Sequence, residues 1–468
     1  MIFPTRIFTN LFVVSLGLAT TLSGCWSMPT DEPGKSATND GQWQPVASSN
    51  VAAISQLALI PSAQPLQPVP PDPPGVLTLA KVIETIRAQS PSLKAALQMS
   101  HAREAAVTAA GAWEDPTLGL EYQRSTSPQS GMYNAVQFSV SQQIPFSGID
   151  KVRADIARAD ATVSATEAQA RERDLILRAR QEYYQLSYAL QELDLNAATR
   201  VLLEQAVTIA QARYVSGSQG QSDLLMAETN LSTLDSARAS FERQCHESEA
   251  KLRALMNLDS KTPLGRPEPL AFAAFDSDGD ALRAHVFHQP EYIAAMQRVE
   301  AANQRIQEAI KGRNSDPSVY AKGRTFNGGS QVIQEVDVGV SFNLPWDSSK
   351  YNSKFETAEL ERDSLQSEKT ALGVEMVGEV DVLLERLKTA QSQYALYNDK
   401  ILPLARQSEA ATRTAYENHR ANFTDWLTAQ RALIDAQATQ LSYLFEYVES
   451  MAVLEHHTVD APNSVALR

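Results

Sequence analysis

Asp223 and Asp425 occupy matching places in two stretches, YVSGSQGQSDLLMAE (214–228) and YENHRANFTDWLTAQ (416–430). Each reads as a tyrosine, a polar turn, then an acid followed by an apolar pair. An acid that opens a helix is favoured by the helix dipole, and Ser222 or Thr424 would cap equally well. Were several copies to meet, the same acids would form a carboxylate ring that favours cations and can hold a gate. The histidines invite a metal reading, at His285 and His288 and at His456 and His457. Neither pair has cysteines or carboxylates in a ligand pattern along the chain, so solvated histidines and no metal site are expected. No phosphate-binding Gly loop, zinc-protease helix or nucleophile elbow occurs, so neither a catalytic residue, an enzyme nor a cofactor is expected. Cys25 stands in a context that directs chemistry onto it. Residues 1–24 carry Arg6 and then the apolar run IFTNLFVVSLGLATTL, which reads as a signal peptide. The run ends LSGC: an apolar residue, two small ones, then a cysteine placed to become N-terminal and acylated. Several acyl chains suffice for stable membrane anchoring. Cys245 is expected to be a small packed side chain within a helix.

The elements that must position these residues are long. Charged residues make up 21% of the chain and aromatics 7%, a balance that favours extended helices. The net charge of −14 argues against a nucleic-acid partner. No mature segment offers eighteen consecutive apolar residues, so no transmembrane helix is expected. Residues 25–76 read as a lipidated N-terminus and tether, since PSAQPLQPVPPDPPG (61–75) holds seven prolines and must be extended. Helical periodicity begins at Thr78 and again near Ser92. From about Ile149 to Arg213 the chain reads as one helix of roughly 100 Å, which demands coiled-coil partners. A second helix is expected from about Asp223 to Asn257.

Between these helical stretches the period changes to two. In TLGLEYQ, Leu118, Leu120 and Tyr122 share one face; in AVQFSVSQ, Val136, Phe138 and Val140 do. The two read as a hairpin over 116–143. After a linker at 258–279 the arrangement repeats: a helix over about 280–311, a weaker strand (SVYAKGRTF) and a strongly alternating one (EVDVGVSFN) within 317–343, a long helix from about Tyr351 to Tyr416, and a last helix from about Phe423 to His456. Pro116 and Pro317, Pro145 and Pro345, Tyr214 and Tyr416, and Asp223 and Asp425 are each about 200 residues apart. A period this long indicates duplicated domains, 77–257 and 280–457, with a tail at 458–468. Pro403 falls deep in the second long helix, where Val201 stands in the first copy, and is expected to kink it.

Four half-apolar strands would expose edges and an apolar face if they folded alone. A membrane permits sheets only as closed barrels, the smallest of about eight strands, so four strands need other chains. The apolar face would then meet lipid and the polar face a lumen, with Glu335 and Asp337 biasing it toward cations. Phe146 and Trp346, beside Pro145 and Pro345, fall where an aromatic girdle belongs at the barrel–periplasm junction.

The stretches LTLAKVIETIRAQSPSLKAA, DPTLGLEY, VSQQIPFSG, ARYVSGSQGQSDLLMAETNL and LPLARQSEAATRTAYENHRANFTDWLTAQRALIDAQATQL, by their order, their spacing and the duplication of the arrangement, resemble the TolC-like outer-membrane efflux family across about residues 77–457, in both repeats. The resemblance implies a mainly α-helical fold with a transmembrane β segment. It implies a homotrimer in which four strands from each of three chains form a twelve-stranded barrel on a long helical tunnel. It further implies a periplasmic adaptor and an inner-membrane pump as partners, and passive conduction of substrate across the outer membrane. LSGC is similar to the lipobox of bacterial lipoproteins, and Trp26 in place of Asp implies sorting to the outer membrane. In the family the tip loops dock the adaptor; here these are Ser216, Gly217, Ser218, Gln219, Gly220 and Gln221, and Asn418, His419, Arg420, Ala421 and Asn422. A basic residue and a further acid often flank the family's gate, but Gln219 and Met226 stand at those places, which weakens an ionic lock through Asp223. The residues also leave open a type I protein-secretion duct, or a non-conducting periplasmic scaffold lipoprotein whose strands pack on its own helices.

Overall fold

The computed structural model describes residues 75–458 apart from 128–130, 218–219, 276–277, 329–330 and 419. The signal segment, Cys25, the tether to 74, Ser218, Gln219, His419 and the tail from 459 lie outside the described residues. Two helices, α1 (Leu79–Gln89) and α2 (Pro91–Ala110), lead to β1 (Thr117–Ser127) and β2 (Gly131–Gln143), then α3 (Ile149–Val215) and α4 (Gln221–Leu255). The second half has α5 (Gly279–His285), a 3-10 turn, α6 (Pro290–Lys311), β3 (Pro317–Gly328) and β4 (Gln331–Phe342). It continues with α7 (Ser348–Leu396), a π turn (Tyr397–Ile401), α8 (Leu402–Glu417) and α9 (Phe423–Thr458).

The 67 residues of α3 run uninterrupted because neither Pro nor Gly follows Gly148 until the tip. At 1.5 Å per residue they span about 100 Å. No such helix is stable without lateral packing. α3 packs against α2, α4, α6 and α9, and α7 packs against α6 and α9. Arg298 to Glu167 at 2.5 Å and Arg305 to Asp160 at 2.7 Å lock α6 along α3. Fully buried alanines on α3 (179, 189, 206 and 210) let neighbouring backbones approach closely. Midway along the helices, Leu175, Ala179, Tyr183 and Leu186 pack with Val82, Ile86, Leu252 and buried Cys245. In the second half Val286, Val380, Leu387 and Tyr447 form the counterpart. The Tyr183 hydroxyl donates to the Leu77 carbonyl at 2.9 Å and accepts from the Glu268 amide at 3.0 Å, so a buried polar group is satisfied while the linker is clasped to α3.

The strands form one antiparallel sheet in the order β1-β2-β3-β4. Its register carries Leu118, Val140, Ala321 and Val338 in one row across all four strands, and Leu120, Phe138, Gly323 and Val336 in the next. One face therefore carries an apolar belt across all four strands, and it is open: Leu118 is 75% exposed and Val336 77%. β1 and β4 are edge strands with unpaired backbone. No helix among the described residues is long and apolar enough to cross a membrane.

The two strand–helix junctions repeat one device. Phe146 donates its amide to Ile144 across Pro145 at 2.9 Å, and Trp346 to Leu344 across Pro345 at 2.8 Å, each a three-residue turn with proline at its centre. Asp316, 8% exposed, binds the Ser147 amide at 2.7 Å and its hydroxyl at 2.8 Å, and so ties the first hairpin's exit to the second hairpin's approach. Asp316→Ala is expected to cost about 2–3 kcal/mol, the value of charge-assisted bonds lost from a buried site. Asp316→Asn, which keeps one acceptor, is expected to cost less; denaturant unfolding of the two variants measures the difference.

The structure departs from the sequence expectations, or adds detail to them, at three places. The helix expected over 280–311 is broken at Gln289, because Pro290 starts α6 at its first position, where its missing N–H costs nothing. At Pro403 the backbone stays helical on both sides, with a π turn just before it. Leu402 donates to the carbonyl of Tyr397, five residues back. The wider turn accommodates the proline ring, which in an α-helix would meet the carbonyl four residues before it. The residue preceding α4 is Gly220 and that preceding α9 is Asn422, so Ser222 and Thr424 lie inside the first turns rather than capping them.

Candidate functional site

The polar face of the sheet carries Glu121, Gln137, Arg324 and Glu335 in one row, and Gly119, Ser139, Lys322 and Asp337 in the next. Glu335 and Asp337, expected as lone lumenal acids, thus stand directly opposite Arg324 and Lys322. Arg324 also donates to Gln137 at 2.6 and 3.1 Å, and Lys322 lies 4.7 Å from the centre of the Tyr320 ring. Opposite charges across an antiparallel pair stabilise it modestly and cancel much of each other's field. With Glu121, the face holds three acids and two bases, a weaker cation preference than two unpaired acids would give. Tyr320 covers Gly339, where any Cβ would strike its ring. Phe146 and Trp346 sit at the base of this sheet, 77% and 92% exposed.

At the other end of α3 lie the two tips, and they are built differently. Gly217 closes α3 in the left-handed region, φ +69°, a conformation that glycine adopts without strain. Ser216, Gly217, Gly220 and Gln221 are exposed around it. In the second tip the Arg420 amide reaches the Ala415 carbonyl at 2.7 Å, closing the end of α8, and Asn418 and Asn422 are exposed, with Ala421 half-buried.

The two acids also differ. Asp425 is exposed and takes the Asn422 amide at 3.2 Å, the reciprocal bond of a capping box. Asp223 is half-buried and, among the described residues, its carboxylate receives a 3.5 Å contact from the Ser222 hydroxyl. Asp425→Ala is therefore expected to lower tip stability by about 1 kcal/mol, and Asp223→Ala by much less. Hydrogen exchange in the first turns of α9 and α4 reads the two separately.

Beneath the tips is an aromatic cluster whose cooperation was not read from the sequence. Tyr416 stacks on Trp426 with ring centres 5.3 Å apart, and Phe423 meets both edge-on at 5.7 and 5.9 Å. The Arg213 guanidinium lies 3.9 Å from the centre of the Tyr416 ring and donates to the Tyr416 carbonyl. These rings pack against Leu203, Ala206 and Ala210 of α3 and Ala227 of α4, so the two hairpins share one core. Tyr416, Phe423 and Trp426 stand close together in the sequence, but only the fold brings Arg213 to them.

His285 and His288 are exposed, as expected. His456 and His457 are not solvated: their side chains are 11% and 14% exposed. Burial pushes the His456 imidazole down to about 3 and lowers that of His457. Asp174 from α3 and Glu379 from α7 approach them, at 3.8 and 3.2 Å respectively. The expectation failed because the carboxylates come from other helices, far away in sequence.

Residues 82–258 match the family model described as outer membrane efflux protein. Among solved structures, the outer-membrane channel OprN is similar with a TM-score of 0.72 at 14% identity, over 81% of this chain and 89% of that one. The outer membrane protein VceC of Vibrio cholerae gives 0.70 at 16%, over 81% and 95%. The CmeC outer membrane channel of Campylobacter jejuni gives 0.71 at 14%, over 81% and 85%. No curated protein matches. Residues 82–258 are thus similar to the outer membrane efflux protein family, and the chain has the fold of the outer-membrane channels, a mainly helical coiled-coil body with a four-stranded sheet at one end.

Proposed function

We propose that this chain is the outer-membrane exit duct of a tripartite efflux system, passive in itself and working as a homotrimer. The observation that carries this reading is the sheet: an exposed apolar belt across all four strands, charged rows on the opposite face and two edges unpaired among the described residues. Strands of 11 to 13 residues are long enough to span a bilayer when tilted. Strand direction alternates across the sheet, so β4 of one copy meets β1 of the next antiparallel. Three copies close twelve strands into a barrel without edges. The apolar face then meets lipid, the ladder of Glu121, Lys322, Arg324, Glu335 and Asp337 lines water, and Phe146 and Trp346 form the periplasmic girdle. Acylated Cys25 adds a lipid anchor. The helices extend the duct roughly 100 Å into the periplasm, where the tip loops receive the adaptor and, through it, the inner-membrane pump.

The match to the efflux domain favours efflux over protein secretion. A non-conducting scaffold would cover its apolar strands with helices, whereas Leu118, Leu120, Phe138, Val336 and Val338 are exposed. Planar-bilayer recording of purified trimers tests the reading: discrete conductance steps are expected once the tip is loosened, and silent trimers with a loosened tip would overturn it.

A further inference from the structure

We propose that Asp174, Glu291 and His456 form a binding site for a divalent transition-metal ion of the zinc type, which ties the last turn of α9 to α3 and to the first turn of α6. Ligand atoms from the three side chains all lie within 4.8 Å of one another, and all three residues are half-buried. Each comes from a different helix, so an ion there would cross-link three elements. The site differs from a patch of surface acids in two respects. One oxygen of Glu291, Oε1, is buried and finds no hydrogen-bond partner among the described residues. A buried carboxylate oxygen without a donor is costly unless something positive meets it. The second respect is the imidazole. His456 Nε2 is 3.8 Å from Asp174 Oδ1, too far for a hydrogen bond, and the ring is buried. In that position Nε2 faces the Asp174 carboxylate across a gap that an ion can bridge.

The neighbouring guanidinium groups have other partners. Arg173 donates to the His456 carbonyl, and Arg180 pairs with Glu455. Arg171 reaches Asp174 only at 4.0 Å while donating to Ser92. The cluster offers two hard carboxylate donors and one borderline-soft imidazole donor. Imidazole favours transition ions over calcium and magnesium, and three protein ligands leave a fourth position for water. Zinc binds nitrogen and oxygen at about 2.0–2.2 Å, so the ligand atoms of one ion are at most about 4.4 Å apart. The ligand atoms found here lie within 4.8 Å of one another, close to that limit.

Calorimetry of the full-length protein in detergent, stripped with EDTA and titrated with Zn²⁺, tests the site, with Co²⁺ as the spectroscopic probe. About one equivalent per chain is expected, with visible Co²⁺ absorption. His456→Ala and the near-isosteric Glu291→Gln are each expected to weaken binding at least about tenfold. A double variant, His285→Ala with His288→Ala, is expected to bind as the parent does. Zn²⁺ is also expected to raise the thermal midpoint of the parent and not of Glu291→Gln, by mass action on the folded state. No saturable binding would overturn the proposal, as would binding unchanged in Glu291→Gln, binding lost with the 285/288 variant instead, or Ca²⁺ bound as tightly as Zn²⁺. None of these readouts depends on conductance.

Discussion

Phe138→Arg is expected to abolish integration of the protein into the outer membrane while leaving the helical body folded. Phe138 stands mid-strand in the row Leu120, Phe138, Gly323 and Val336, with 58% of its surface exposed in a single chain. In a trimer closed through the sheet edges, this row lies near the bilayer midplane and faces lipid. An arginine there costs about 2–4 kcal/mol in a transmembrane barrel. The substitution is present in every chain, so a trimer would carry roughly 6–12 kcal/mol of penalty. The matching control is Gln123→Arg, on the polar face one strand away and paired with Ala135. It faces water in the same barrel and is expected to insert like the parent. Membrane fractionation and heat-modifiable migration of the trimer distinguish the two. Equal insertion of both variants would show that the apolar face does not meet lipid, and the barrel reading would fall with it.

The face assignment rests on a feature that was legible in the sequence. Alternation in TLGLEYQ, AVQFSVSQ and EVDVGVSFN depends only on neighbours two apart, and the period-two geometry of a strand turns it directly into faces. The uninterrupted run from Ile149 was legible for a similar reason, since the absence of proline and glycine is local information. What stayed hidden required register or distance. Lys322 and Arg324 were in plain view, but their pairing with Asp337 and Glu335 follows from how β3 and β4 align, and a shift of one residue would reverse it. The carboxylates around His456 and His457 lie on α3, α6 and α7, so spacing along the chain held no trace of them. Pro403 was visible, while its accommodation was not: whether a chain kinks, breaks or widens into a π turn depends on the packing around it. Pro290 was equally visible and was read through, because the helical pattern on both sides of it shares a face.

Trp426→Ala is expected to release the two tips from one another without loosening the middle of the helices. Trp426 is 4% exposed, stacks on Tyr416, meets Phe423 edge-on and donates from Nε1 to Glu409 at 3.0 Å. Removing a buried tryptophan costs about 3–5 kcal/mol, from lost transfer energy and the cavity left behind. The loss falls where alternatives are few. α3 and α4 contribute Leu203, Ala206, Ala210 and Ala227, with Ile209, Leu224, Met226 and Leu231 partly buried against them, while the aromatic rings of this core come from the second repeat. Tyr416 would lose its stacking partner, and the Tyr416 ring on which Arg213 packs would be held less firmly. Faster hydrogen exchange is therefore expected across 203–231 and 416–430, with protection around Tyr183 and Tyr447 unchanged. Trp426→Phe keeps the stack and gives up only the bond to Glu409, so a smaller loss of about 1–2 kcal/mol is expected. If the closed duct depends on the tips packing together, Trp426→Ala trimers will conduct without an adaptor and Trp426→Phe trimers will stay shut. Equal protection in all three proteins would mean that the cluster fills space without holding the hairpins together. Increased exchange without increased conductance would place the gate elsewhere than in this core.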